Sequence, residues 1–133
     1  MLKYINKNIT VDGILKTIEV ISNYGDEDIQ IQLPFILGWD NLTDNDLEAL
    51  ESFLNKLPYD KVKFSFSVNL LTAKPCTYVY ENYKKGQELY IGPFLYGFMP
   101  LIDDEQIYLS KQAVDIMDTK GVTVFDYCNF RGM

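Results

Sequence analysis

The sequence predicts an α+β domain: a mostly antiparallel sheet with two or three helices packed against it. Two segments that begin after Thr10 and Thr43 carry apolar residues at helical spacing. Residues 61–68 alternate apolar and polar side chains, as a strand does. Several strands then follow one another before a last helix, which is typical of an antiparallel sheet. A length of 133 residues favours one domain over residues 1–133.

The first third of the chain predicts strand, helix and strand. Residues 2–5 suit a short strand, and Thr10 suits the N-cap of a helix that Gly25 ends. Residues 29–35 alternate apolar and polar side chains, which predicts a strand. Pro34 lacks the N–H that a sheet ladder uses and therefore favours a sheet edge or the end of that strand.

Thr43 opens the second predicted helix, with Asp46 three residues on as a capping box. The strand over residues 61–68 is expected to bury one face and expose the other to water. Residues 76–81 and 88–91 are expected to pair as a hairpin through a turn containing Gly86.

The last part of the chain predicts a final helix and strand. Residues 93–100 fit either a strand that is apolar on both sides or a packed loop. Residues 103–105 form an acidic turn before a short apolar segment at 107–109. Ser110 is the expected cap of a short helix that Gly121 ends, and residues 122–127 suit a last strand.

Composition disfavours several classes of function. A net charge of −7 repels phosphate and anionic lipid, so we expect neither direct nucleic-acid binding nor a membrane partner. Two cysteines and an N-terminus without a signal-peptide pattern favour the cytoplasm, with both thiols buried and free. There is no histidine, GxGxxG or GxxxxGK[ST], so we expect no cofactor and no common triad or zinc chemistry.

One segment resembles the opening of a calcium loop. Asp44, Asp46 and Glu48 occupy its first, third and fifth positions, but Ala49 and Asn55 replace the required glycine and bidentate glutamate. Acids that complement the dipole at a helix start explain the spacing better, so no metal is expected.

The most polarised stretch is residues 17–55, which has nine carboxylates and no lysine or arginine. It also holds the only tryptophan, Trp39, which could be either an interface anchor or a core residue. The candidate partner-binding residues are those of this stretch that surround the tryptophan: Asp26, Glu27, Asp28, Trp39, Asp40, Asp44, Asp46, Glu48 and Glu51.

This pattern favours a non-catalytic acidic binding protein, of inhibitor or immunity type, that occludes a basic partner such as a nuclease or toxin. In size and acidity the chain is similar to bacterial toxin-immunity proteins and phage-encoded anti-CRISPR proteins, without a motif of either. Acids that serve solubility alone are the simplest competing explanation. Two alternatives stay open: a carboxylate-dependent enzyme on a carbohydrate-like substrate, for example through Asp103 and Glu105, and a structural subunit that pairs through an exposed sheet edge.

Overall fold

The computed structural model describes residues 9–25, 28–37, 42–82, 86–99 and 103–126, and its architecture is α+β. In chain order the elements are α1 (Val11–Tyr24), β1 (Gln30–Leu37), α2 (Asp44–Asn55), β2 (Lys63–Leu70), α3 (Tyr78–Asn82), β3 (Gln87–Ile91), β4 (Phe94–Met99), α4 (Asp104–Asp118) and β5 (Thr123–Asp126). The strand predicted over residues 2–5 lies outside the described residues.

The main sheet has the order β1-β2-β5, and both of its pairings are parallel. The expectation of a mostly antiparallel sheet was therefore wrong; only the β3-β4 hairpin is antiparallel among the described strands. The physical reason is that a helix separates each strand of the main sheet from the next, and a crossover through a helix returns the chain in the same direction. Both crossovers step the same way across the sheet, so α2 and α4 pack on one face and contact each other.

The core lies between that face and the helices. It consists of Ile18 of α1, the inward residues of α2 and α4, and the apolar residues of β2 together with their neighbours on β1: Leu37, Leu47, Leu54, Leu57, Val62, Phe64, Phe66, Val68, Leu109, Ala113, Val114 and Met117. Phe66 is fully buried and meets Phe35 edge-to-face, with ring centroids 5.7 Å apart. β2, the central strand of the sheet, thus contributes its apolar residues to the middle of the core.

The second face of β2, which was expected to lie in water, is buried at its centre, whereas Lys63 at the start of the strand is exposed as expected. Ser65 and Ser67 are each only 4% exposed. Ser65 lies between Gln32 and Thr123 in the register of the sheet, so the larger side chains of both neighbouring strands cover its small one. Small polar residues that are buried on a central strand therefore produce the same apolar–polar alternation in the sequence as polar residues that face water.

Helix starts are confirmed at both threonines. The Thr10 hydroxyl accepts a hydrogen bond from the Gly13 N–H at 3.0 Å, and Gly25 follows the last turn of α1. At Thr43 the capping box is complete, because its hydroxyl accepts from the Asp46 N–H and the Asp46 carboxylate accepts from the Thr43 N–H.

The fourth helix is longer than predicted. It begins at Asp104, with Asp103 as the N-cap accepting from the Gln106 N–H at 2.8 Å. Ser110 was expected to cap a short helix, but it lies inside α4 and is 1% exposed. Residues 107–109, which were expected to precede the helix, belong to it. Leu109 faces the core four residues before Ala113, which is one helical turn.

Residues 76–82 form a helix start and not a strand. α3 covers Tyr78–Asn82, so the predicted hairpin between 76–81 and 88–91 was wrong. β3 pairs instead with β4 through a turn at Gly92, whose φ is 60°. Cys76 is free as expected but exposed, which contradicts the expected burial, while Cys128 lies outside the described residues.

One backbone contact fixes the hairpin to the main body. Ala73, three residues beyond β2, exchanges two backbone hydrogen bonds with Phe98, at 2.7 and 2.9 Å. Gly97 makes this approach feasible, because a Cβ there would lie 2.5 Å from the Ala73 carbonyl oxygen. The Phe98 ring also packs against Tyr80 of α3, at 5.5 Å between centroids. The base of the hairpin therefore lies at the carboxyl end of β2.

Candidate functional site

Three of the predicted partner-binding acids form a row on α2. Asp44, Glu48 and Glu51 are all exposed and are spaced four and three residues apart, which places them on one side of a helix. Leu47 and Leu54, which lie next to this row around the helix, face the core, while the three acids are exposed beside them. We call Asp44, Glu48 and Glu51 the acidic stripe; it is about 10 Å long.

Asp46 belongs to the same helix but has a structural role. Its carboxylate accepts hydrogen bonds from the Thr43 N–H at 2.9 Å and from the Thr43 hydroxyl at 3.0 Å. The side chain is half-buried and is therefore less available to a partner than the acidic stripe. Removing it would expose orphan donors at the start of α2.

A second group of acids lies beside the start of the stripe. The side chain of Gln106, which is 8% exposed, accepts from the Leu42 N–H at 3.0 Å and donates to the Leu42 carbonyl at 2.9 Å. This pair of bonds holds the first turn of α4 against the residues that precede α2. Asp104 and Glu105, both exposed, lie in that same first turn of α4.

The acidic face is defined here as the acidic stripe together with Asp104 and Glu105. Sequence reasoning noted the acidic turn at residues 103–105 but did not assign it to partner binding. The missed signal was the spacing of Asp103 and Gln106, which matches an N-cap and its third helical residue. That spacing predicts that α4 begins at Asp104.

Asp28 does not join this face. It precedes β1, whereas Asp44 follows the opposite end of β1. The eight residues of β1 separate the two acids by roughly 25 Å at about 3.3 Å per residue. Asp26, Glu27, Trp39 and Asp40 lie outside the described residues, so their part in the predicted site stays a prediction.

The acidic face carries no neutralising cation in the described part of the chain. No hydrogen bond or ion pair to a described residue engages the carboxylates of Asp44, Glu48 or Glu51. α2 has no lysine or arginine, and the last turns of α1, α2 and α4 have none either. The carboxylates of the acidic stripe are therefore stabilised by water. Asp44 and Asp104 are stabilised in addition by the positive ends of their helices.

Metal or acid-base chemistry has little support in the described residues. No group of three histidine, cysteine, aspartate or glutamate side chains converges there. A cavity of about 290 Å³ between α1 and the end of α2 is lined by Asp12, Glu19, Lys16 and Lys56, so its charges are mixed, and no aromatic ring lines it. The carbohydrate-enzyme alternative required two carboxylates beside exposed aromatic rings.

Glu88 is a carboxylate that lies beside an exposed ring. Its Oε2 accepts a hydrogen bond from the Tyr90 hydroxyl at 2.5 Å. This bond, and then the negative charge of Glu88, raise the pKa of the Tyr90 phenol above its usual value. Both side chains are exposed on the β3-β4 hairpin, where water competes for the same groups.

In the described part of the chain, no helix is long and apolar enough to cross a membrane. No family model, curated protein or solved structure matches this chain. Function must therefore be inferred from the surface of the molecule itself.

Proposed function

We propose that this protein is a non-catalytic binding protein, of inhibitor or immunity type, that occludes the phosphate-binding surface of a basic partner such as a nuclease or toxin. The acidic face carries the proposal. Its five exposed carboxylates lie on two adjacent helices, and no described cation neutralises the stripe. Such an array matches the lysines and arginines with which a partner would hold phosphate.

The arrangement favours charge recognition for a physical reason. Acids that serve only solubility can lie anywhere on the surface, whereas Gln106 brings the acidic starts of two helices together. Exposed charge pairs contribute only about 0.2–1 kcal/mol each, so the acidic face would act chiefly by speeding encounter and fixing orientation. Additional affinity requires apolar burial, for which Trp39 is the predicted anchor.

Affinity capture from the source cell tests the proposal with matched baits. The first bait is the wild-type chain, and the second replaces Asp44, Glu48 and Glu51 by lysine. The third replaces three exposed acids elsewhere, Asp12, Asp60 and Glu81, by lysine, so it carries the same net charge as the second. We expect a basic protein on the first and third baits, lost from the second and weakened by 500 mM salt.

Equal recovery on the second and third baits would show that net charge, and not the acidic face, attracts the partner. Recovery of acidic or neutral proteins alone would refute the proposal. A captured nuclease should also lose activity when the wild-type chain is added, and it should keep that activity when the stripe variant is added.

A second candidate, a structural subunit that pairs through a sheet edge, is favoured by one observation. β1 is at the edge of its sheet, and no described strand pairs with its outer side. The Leu37 carbonyl accepts from the Leu71 N–H, so odd-numbered residues of β1 direct their backbone groups towards β2. Pro34 therefore faces the outer edge, where its missing N–H costs the sheet nothing but removes one donor that a pairing strand would use.

Lysine is a strong test of this second candidate because it blocks edge pairing. Ile36 is 52% exposed on β1, so Ile36→Lys should fold normally. A partner that pairs with β1 should be lost with Ile36→Lys and retained with the stripe variant. The opposite pattern would support the charge-based proposal.

A further inference from the structure

The tip of the β3-β4 hairpin exposes apolar side chains on both of its faces. Tyr90, Ile91, Phe94 and Leu95 are 58%, 62%, 75% and 38% exposed. Ile91 pairs with Phe94 on one face, and Tyr90 pairs with Leu95 on the other. At about 200 Å² for a whole side chain, Ile91 and Phe94 expose roughly 270 Å² on one face, and Tyr90 and Leu95 expose roughly 190 Å² on the other. The first value is close to the roughly 300 Å² of the smaller apolar patches that have a binding role.

The contacts that the described residues make to hold the hairpin lie at its base. Phe98 is 4% exposed, bonds to Ala73 and packs against Tyr80. In the described part of the chain no comparable contact covers the tip, and a two-stranded hairpin alone is marginal in water. More strands, or a packed surface, would stabilise it.

The outer edge of β3 is suited to accept another strand. No described strand pairs on that side, and the bulge opposite Leu89 and Tyr90 adds its extra residue to β4, which leaves β3 regular. β3 contains no proline or lysine, the residues that commonly protect an edge. Its one charged side chain, Glu88, is already engaged by the Tyr90 hydroxyl.

We propose that β3 pairs with β3 of a second copy of this chain, so that two hairpins form one four-stranded antiparallel sheet. A two-fold axis at Leu89 places Glu88 opposite Tyr90 of the second copy, and Gln87 opposite Ile91. An axis at Glu88 would set two like charges directly opposite each other, which disfavours it. The register centred on Leu89 therefore gives a self-complementary edge.

The area available fits a weak dimer. Pairing through the edges buries the backbone and flanks of the two β3 strands, five residues in each copy, and leaves the faces of both hairpins in solvent. The buried area is therefore smaller than the roughly 1,000 Å² of a stable specific interface, as in a weak, transient dimer. Each copy carries a charge of −7, which opposes association at low salt. A dissociation constant of roughly 1–100 μM is expected, tightening as salt screens the repulsion.

Sedimentation equilibrium of the purified chain from 5 to 500 μM, at low and high salt, tests the dimer. Tyr90→Ser with Ile91→Ser should weaken it at least tenfold, because these side chains lie opposite Glu88 and Gln87 of the second copy. Val20→Ser with Tyr108→Ser is the matched control, since these side chains are 58% and 59% exposed on helices. The control should dimerise like the wild type.

Cross-linking tests the register in a background where both cysteines are serine. Leu89→Cys should form a disulfide-linked dimer, because paired residues have Cα atoms about 5 Å apart. Gln87→Cys should not, because its two copies would lie roughly 14 Å apart, four residues along the strand. The proposal would be overturned if the wild type stayed monomeric at every concentration or formed open-ended aggregates. It would also be overturned by a dimer that the hairpin substitutions do not affect, or by cross-linking at residue 87 instead of 89.

Discussion

Gln106→Leu is expected to destabilise the fold more than its position near a helix start would indicate. Leucine keeps the apolar volume but removes both bonds to Leu42, at 3.0 and 2.9 Å. The Leu42 N–H and carbonyl would then be left unpaired in a partly buried place. An unsatisfied buried group costs about 1–3 kcal/mol, so the expected loss of unfolding free energy is about 2–4 kcal/mol.

Urea unfolding followed by circular dichroism measures this loss, and the m-value should stay constant if the compactness of both states is unchanged. Gln112→Leu is the matched control on the same helix, because its side chain donates only to the exposed Tyr108 hydroxyl. The control should change stability by less than about 0.5 kcal/mol. A similarly small effect of Gln106→Leu would refute the claim that this side chain joins the starts of α2 and α4.

Three further predictions concern other parts of the fold. Thr43→Ala removes the capping box of α2 and should cost about 1 kcal/mol in urea unfolding, whereas Ser52→Ala on the exposed side of α2 should cost nothing measurable. Gly97→Ala should force the hairpin base away from Ala73 and speed hydrogen exchange of the Ala73 and Phe98 amides; unchanged exchange there would contradict the close approach. Glu88→Ala removes both the acceptor of the Tyr90 hydroxyl bond and the negative charge, which together raise the pKa of Tyr90. The phenol should therefore ionise at lower pH in an NMR titration, and an unmoved pKa would show that Glu88 is not the cause.

Local signals in the sequence were sufficient for two helices. Thr10 and Thr43 cap α1 and α2 through side-chain bonds that depend only on residues three positions away. The start of α4 was missed because Ser110 is also a good cap residue. Its burial against the core, which depends on distant strands, decides that it lies inside the helix.

Strand direction could have been predicted better than it was. A helix lies between β1 and β2, and that order alone favours a parallel crossover. The wet face assigned to β2 could not be corrected in this way, because the burial of Ser65 and Ser67 depends on flanking strands that are far away in the chain. The candidate site also combines a local and a long-range signal. The acidic stripe follows from helical periodicity, whereas its grouping with Asp104 and Glu105 depends on the hydrogen bonds between residues 42 and 106.

The association rate constant between this chain and the basic partner recovered by capture, measured as a function of salt, tests the proposed function most directly. We expect the reversal of Asp44, Glu48 and Glu51 to lysine to slow association at least tenfold at 50 mM salt and to have little effect at 500 mM. The equally charged reversal of Asp12, Asp60 and Glu81 should slow it much less, because those acids lie outside the acidic face. Equal slowing by both variants, or a rate that does not depend on salt, would contradict the proposal that the acidic face is the binding surface.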